Sequence, residues 1–510
     1  MTPDDDFLTL DPSPEEFREL GYRVVDTIAD HYDRIEDVPT LTEATPAEVA
    51  DVFTESLPQA GTDPHRILDE WDERIYPYAA HQGSPRWFGY VNGSGTPIGA
   101  LADALAASVN MNVGGWVLSP SATEVERQCI EWLAELIDYP SDGGGVLTSG
   151  GTMANQVAIY AALQAATDFS LRQTGFAGRN GDDRFTLYES AHEGHSSITR
   201  VAELIGIGRA AIRHVPVDDE YRMDVEALEE IVEADREDGR TPFAVVAQVG
   251  SINVSAIDPL EAIADVCAAH DLWMHADGAC GAVGAILPEK APMYEGLERA
   301  DSVTIDPHKW LSIPYGCGCV LFRDEAVQAR AFSMDASYLD VSEREAYQGT
   351  NYAFLGPEMS RPFRALKLWM SLKHRGREGY RTLLAQSCRC AEHLHDRVGV
   401  ESDLENVQEP NLFIYSFRYL PADLQARSGT LEESTDVDAY ADWLNQQIAD
   451  DLRFTGLAYV TTTAVRGHVV LRFSICSHRT TPEDIDVTVD AILEHGERID
   501  GDERERFIAG

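Results

Sequence analysis

The sequence predicts an α/β protein in which a largely parallel sheet is covered by helices, with an N-terminal helical segment before it and a smaller α+β domain after it. Three patterns predict this. From about residue 120, short apolar runs of strand length alternate with amphipathic stretches of helical length, as strand–helix–strand units do. Residues 14–37 carry apolar side chains three or four apart with carboxylates opposite. Beyond about residue 375, two more strand-like runs lie among helical stretches. The expected division is 1–95 for the N-terminal segment, 96–375 for the large domain and 376–510 for the small one. A chain of 510 residues is long enough for more than one sizeable core.

In chain order, PEEFRELGYRVVDTIADHYDRIED (14–37) sets Phe17, Leu20, Val24, Ile28, Tyr32 and Ile35 on one helix face, with Ser13 as its cap. A lone helix would leave that stripe wet, so it must pack on the body or on a second subunit. Residues 38–85 hold further acidic helical pieces, and the Gly-rich YVNGSGTPIGA follows. ATEVERQCIEWLAELI is helical, then comes a Gly-rich turn and helical TMANQVAIYAALQAA. FTLYES, AAIRHVPV, FAVVAQVG, LWMHADG, SVTID and CGCVLFR have strand character, with helical VEALEEIVEAD and LEAIADVCAAH among them. NLFIYSFRY and HVVLRFSIC are the strands of the small domain. No internal repeat interrupts the series.

Composition excludes some functions. The formal net charge is −47, spread over the whole chain, and such a field repels phosphate backbones and anionic lipid. Neither nucleic acid nor a membrane is expected as a partner. Lys290, Lys309, Lys367 and Lys373 are the only lysines, an acidic, lysine-poor pattern that resembles proteins of salt-loving organisms. An ordinary acidic cytosolic protein is the alternative. MTPDDDF has neither the basic region nor the apolar core of a secretory signal, and no apolar run is long enough to span a bilayer. The eight cysteines show no C-x-x-C spacing and are expected to be free thiols in a cytoplasmic, reducing compartment.

Four segments carry chemistry. GGGVLTSGGTMAN (143–155) reads as strand, Gly-rich turn and helix, where backbone amides and the helix dipole can hold an anion; a turn that merely caps the helix remains open. In LWMHADGACG, Asp277 follows an apolar strand, at the edge where α/β sheets bind ligands, unless it caps a helix. In SVTIDPHKWLSIPYGCG, Asp306, His308, Lys309 and Trp310 follow another strand. Most lysines are solvated, but a partly desolvated one has a lowered pKa and can form a Schiff base. SAHEGHSSITR places His192 and His195 without the spacing of a zinc-protease helix, so His195 is a ring-stacking or proton-transfer candidate, or a plain loop histidine. Taken together, an anion cradle, a histidine, an aspartate and a later lysine suit pyridoxal 5′-phosphate: phosphate in the turn, the pyridine nitrogen on Asp277, the aldehyde carbon on Lys309.

With these segments in place, the chain resembles the group II pyridoxal-phosphate-dependent amino-acid decarboxylases, the aromatic-amino-acid and glutamate decarboxylase relatives of fold type I. The matching segments are SPRWFGYV (84–91), WVLSPSATEVE (116–126), GGGVLTSGGTMAN, HSS (195–197), HADGA (275–279), DPHKW (306–310), AFSMDASYL (331–339), SRPFRALKLW (360–369) and LRFSIC (471–476). The resemblance implies a mostly parallel seven-stranded sheet and a homodimer with shared active sites. It makes Lys309 the Schiff-base lysine, Asp277 the pyridine partner and His195 the ring-stacking histidine. Gly151 and Thr152 become phosphate contacts, with Ala279 and His308 beside the cofactor. Tyr338 matches the mobile-loop tyrosine that reaches the neighbouring subunit's site and directs the reaction toward amine.

The chain also departs from the aromatic-specific members. Val91, Asn92 and Gly114 stand where those enzymes have bulkier pocket walls, Gly250-Ser251-Ile252 replaces Gly-Thr-Thr, and Asp306 replaces Asn. The expected reaction is decarboxylation of an L-amino acid to the corresponding amine and CO₂, an aromatic amino acid being one candidate substrate that these departures count against. Glutamate, aspartate or diaminobutyrate, an aldehyde-synthase or lyase outcome, and a silent protein of the same fold stand as alternatives. No metal is expected; hydrolysis at a metal held by His192, His195 and Asp277 is the remaining competitor.

Overall fold

The computed structural model describes residues 11–140, 142–177, 184–334, 349–425, 427 and 436–507. Its larger sheet contains β1 (Gly145–Thr148), β2 (Phe185–Ser190), β3 (Ile212–Val215), β4 (Thr241–Gln248), β5 (Trp273–Asp277), β6 (Ser302–Ile305) and β7 (Gly318–Phe322). Their order is β1-β7-β6-β5-β4-β2-β3. β7 runs antiparallel to both neighbours, and the other pairs are parallel. The strands are almost continuously apolar because both faces are covered. On β4, Ala244 and Val246 pack with Leu163, Ile198 and Val201, whereas Val245 and Ala247 join the core of Leu228, Val232 and Ile263. Six of the strands were expected from apolar runs, and β1 from the strand–turn–helix reading of the Gly-rich segment.

The smaller sheet has four antiparallel strands in the order β10-β11-β9-β8: β8 (Leu404–Asn406), β9 (Ile414–Tyr419), β10 (Thr461–Val465) and β11 (His468–Ser474). Only β9 and β11 stand out as apolar runs. β8 has three residues, and β10 is the polar sequence TTTAV, whose signal is the turn after it. Arg466 and Gly467 both have positive φ (48° and 87°) and join Val465 to His468, a two-residue hairpin turn. The helices Asp436–Thr455 and Pro482–Phe507 bury one stripe each against this sheet, together with the second half of the long helix Ala365–Val400, which bends at Gly376.

The N-terminal segment divides differently from expectation. The helix Pro14–Arg34 begins with a capping box: Ser13 Oγ accepts from the Glu16 amide at 3.2 Å, and Glu16 Oε2 accepts from the Ser13 amide at 2.8 Å. None of its residues is buried, and Phe17 is 64% exposed. Val91, by contrast, joins the core of the large domain, whereas Trp87 and Phe88 pack on the small one. Phe88 is fully buried there, its amide donates to Tyr459 O at 2.8 Å, and Trp87 stacks on Tyr459 at 4.0 Å.

An ion pair without solvent contact ties the large domain together. Arg361 Nη2 donates to Glu126 Oε1 at 2.5 Å, with side-chain exposures of 1% and 0%. Arg361 also donates to Val113 O (3.1 Å) and Leu147 O (2.6 Å), while Glu126 Oε1 accepts from the Leu147 amide (3.1 Å). Removing one partner leaves an uncompensated buried charge. Glu126→Gln or Arg361→Met should therefore lower unfolding stability by about 3–5 kcal/mol in denaturant melts; a loss under about 1 kcal/mol would mean that the pair is dispensable.

Candidate active site

The C-terminal ends of β5 and β6 and the turn after β1 open onto one cavity of about 430 Å³. Gly151, Thr152, His195, Asp277, Ala279, His308 and Lys309 all line it, so seven of the eight sequence-chosen residues meet in one place. The eighth, Tyr338, lies outside the described residues. His192 is exposed and does not line the cavity, so His192, His195 and Asp277 are not gathered as metal ligands.

Each side chain is placed by local structure. The helix Gly151–Ala166 starts soon after β1 without a side-chain cap; Gly150 O takes the Met153 and Ala154 amides, which leaves those of Gly151 and Thr152 to an external acceptor. Glycine is required there: a Cβ on Gly151 would lie 2.7 Å from Asp306 Oδ2. His195 caps the helix Ser196–Leu204, its Nδ1 accepting from the Ser197 amide at 3.1 Å, so the ring proton sits on Nε2. Burial lowers its pKa and keeps it neutral. It is therefore both the helix cap and a cavity wall.

Asp277 ends β5 with 4% exposure. It caps no helix. Its Oδ2 accepts from Asn155 Nδ2 at 2.8 Å and its Oδ1 from the Ala279 amide at 3.3 Å. Lys309 follows β6 in a tight turn, its amide bonded to Asp306 O at 2.9 Å. Its Nζ lies 3.2 Å from Asp306 Oδ2 and 3.6 Å from Cys280 Sγ. Burial alone would pull its pKa down, as the sequence suggested. Cys280 and the carboxylates of Asp306 and Asp277 outweigh burial and hold the ammonium above its ordinary value. Next to it, Trp310 is fully buried against Phe413, and His308 Nδ1 donates to Cys317 O at 2.9 Å.

Comparison with known proteins decides the family. The pyridoxal-dependent decarboxylase conserved domain matches residues 46–420. The chain belongs to the pyridoxal-dependent decarboxylases. An aromatic-L-amino-acid decarboxylase of Bacillus atrophaeus is 33% identical to it over 477 residues, covering 93% of this chain and 94% of the relative. A phenylacetaldehyde synthase of Petunia hybrida is 27% identical over 489 residues, 94% of each chain. The crystal structure of Oryza sativa TDC with PLP and tryptamine superposes with a TM-score of 0.88 at 28% identity, covering 97% of this chain and 99% of that one. The protein is thus a fold type I enzyme that uses pyridoxal 5′-phosphate to decarboxylate an amino acid. The cavity fits that cofactor: an uncapped helix start for a phosphate, a buried carboxylate for a ring nitrogen, and an amine between them.

The decarboxylase site includes residues that sequence motifs did not single out. Asn155, Ser197, Gln248, Cys280 and Tyr315 also line the cavity. Asn155 sits in the same Gly-rich segment as Thr152, and a polar residue one turn into a buried helix is the signal that could have found it. Asn92, one of the departures from the aromatic enzymes, accepts from the hydroxyl of Tyr315, which lines the cavity, but does not line it itself. Gly114 opens no space, because a Cβ there would lie 2.4 Å from Met359 O.

Behind His195, Glu193 is buried and accepts from Ser251 Oγ at 2.6 Å and Asn253 Nδ2 at 3.3 Å. Thr463 Oγ1 in turn donates to Asn253 Oδ1 at 2.6 Å, which joins the histidine loop to β10. Burial pushes Glu193 up to about 7. A carboxyl that holds its proton more tightly folded than unfolded contributes stability below its unfolded value of 4.5 and loses it as pH rises through about 7. Glu193→Gln should reduce the stability difference between about pH 5 and pH 8 by on the order of 2–3 kcal/mol, read from denaturant melts at both pH values. An unchanged difference would contradict this.

Proposed function

We propose that the enzyme decarboxylates a neutral, aromatic L-amino acid to the corresponding amine. The observation that carries the reading is the convergence of Lys309, Asp277, His195 and the Gly151 helix start on one cavity. Bound pyridoxal phosphate supplies the electron sink for the pair left behind when CO₂ departs. In this reading Lys309 is the residue that would hold the cofactor covalently through its Nζ and would yield that bond to the substrate's amine. Asp277 keeps a proton on the pyridine nitrogen, and neutral His195 lies flat against the ring. Gly151 and Thr152 hold the phosphate, and Ala279 and His308 flank the cofactor. The hydroxyl of Tyr338 delivers a proton to Cα and so sets amine as the product.

The aromatic preference is supported by the decarboxylase relative from Bacillus atrophaeus and by the charge of the cavity. A glutamate or aspartate side chain would need a buried cationic partner. Among the described lining residues Lys309 is the only lysine or arginine, and Asp277 and Asp306 are already there. The phenylacetaldehyde synthase relative supports a second reading, oxidation to aldehyde, and Tyr338 is the residue that separates the two.

A homodimer is part of the same proposal. The exposed Phe17, Ile67, Trp71, Leu101 and Leu105 come from the first part of the chain, where several apolar side chains lack a cover. An obligate interface would bury them. The acidic, lysine-poor composition supports adaptation to high salt, and eight free, buried cysteines support a cytoplasmic location. No helix of the described residues is long and apolar enough to cross a membrane.

Three experiments test the proposal. Lys309→Ala should remove the visible absorbance of the bound cofactor and lower turnover by at least roughly 1,000-fold; an absorbing, active variant would refute the anchor. Tyr338→Phe should replace amine by aldehyde, ammonia and peroxide in product analysis under oxygen, and full-rate amine formation would remove Tyr338 from the mechanism. Ile67→Glu combined with Trp71→Glu should convert a dimer to monomer in light scattering. A wild type that is monomeric and active would overturn the shared-site assembly.

A further inference from the structure

Asp277 is held from behind. Both amide hydrogens of Asn155 are used: Nδ2 donates to Asp277 Oδ2 at 2.8 Å and to Ser197 Oγ at 3.0 Å. Its Oδ1 is left as an acceptor for His275 Nε2 at 3.1 Å. His275 stands two residues before Asp277 on β5, hence on the same face of the sheet, and it is fully buried. Burial pushes its pKa down to about 4, so the ring is neutral with its one proton on Nε2. Nδ1 then accepts from Ser302 Oγ at 2.8 Å, and that oxygen accepts from the Trp273 indole at 2.9 Å. The sense of the chain is set at its other end: a carboxylate only accepts, so Asn155 must turn its NH₂ to Asp277 and its oxygen to His275, whose Nε2 must then donate and whose Nδ1 must accept from Ser302.

We infer that Asn155 and His275 are positioning residues that orient Asp277 and reserve its Oδ1 for the cofactor's ring nitrogen. The inference rests on the reading of Asp277 as the pyridine partner. With Oδ2 filled by an amide donor, Oδ1 keeps only the 3.3 Å contact from Ala279. His275 does the orienting at one remove. Were the Asn155 amide to turn over, its oxygen would face the carboxylate and its NH₂ would face the N–H of His275, and both contacts are repulsive. The histidine thereby locks the amide without adding charge, and Asp277 is the single carboxylate of this relay.

The test is a double-mutant cycle on the full-length protein, read by cofactor binding as well as turnover. Asn155→Ala should weaken the dissociation constant for pyridoxal phosphate by about tenfold, the loss of one charge-assisted hydrogen bond. It should also lower kcat more than it raises KM. The apo-protein should unfold within a few degrees of wild type. In an Asp277→Asn background the same substitution should change binding less than twofold, because its target is already gone. Asn155→Asp, which sets a second carboxylate against the first, should add a titration to the visible cofactor band near neutral pH that the wild type lacks. Wild-type cofactor affinity in Asn155→Ala, or an equal loss in both backgrounds, would overturn the relay while leaving Asp277 in its role. Wild-type affinity in Asp277→Asn would overturn the pyridine reading, and the relay with it.

Discussion

The architecture of the large domain depends on how one edge strand is finished. Among the described residues β1 pairs only with β7, so its outer side has no strand there to take its backbone groups, yet the strand is buried. Glu126 and Arg361 supply the missing partners: the carboxylate receives the Leu147 amide, and the guanidinium donates to the Leu147 carbonyl. Arg364 adds a second donor to that carbonyl at 3.2 Å. A buried ion pair is costly to desolvate and earns its place here by satisfying edge-strand backbone that lacks a neighbouring strand. The constraint extends to the site, because Leu147 is three residues from Gly150, the N-cap of the helix that lines the cavity.

Function is assembled from elements that are far apart in sequence and adjacent at the strand ends. The turn after β1 provides the helix start, β5 the carboxylate and β6 the lysine. Close backbone contacts hold them together. A Cβ on Gly93 would lie 2.3 Å from Lys309 O, so the Gly-rich stretch after residue 90 packs directly on the lysine turn. Gly318 on β7 meets Gly150 and Asp306 in the same way. Small residues at these points let the turn after β1 and the lysine turn approach closely enough to share one cavity.

The electrostatics of the cavity come from several elements at once. Lys309 carries a raised pKa although it is buried, because the thiol of Cys280 and two carboxylates from β5 and the turn after β6 surround it. His195 stays neutral because burial outweighs those same acids. Two basic groups in one cavity thus shift in opposite directions. The neighbours in contact with each one account for this, and its residue type does not.

The sequence by itself determined the chemistry and most of the framework. Apolar runs located six of the seven strands of the large sheet, since strands buried on both faces must be apolar throughout, and the Gly-rich turn marked the end of β1. The Gly-rich turn, Asp277, His195 and Lys309 were legible because each sits at a strand or helix end whose local pattern announces it. β8 and β10 were not legible: three residues and a polar TTTAV have no periodicity to read, and they become strands only because β9 and β11 offer them hydrogen bonds. The same holds for Phe88, whose segment joins the small sheet instead of the N-terminal helices, and for Gly114, which makes room for Met359 O instead of opening a pocket. The sign of the Lys309 shift and the Asn155–His275 support of Asp277 were decided by tertiary structure alone. Local sequence shows which group can ionise or donate, but its pKa and its partners depend on distances of about 3 Å between residues more than a hundred positions apart, such as Asn155 and Asp277.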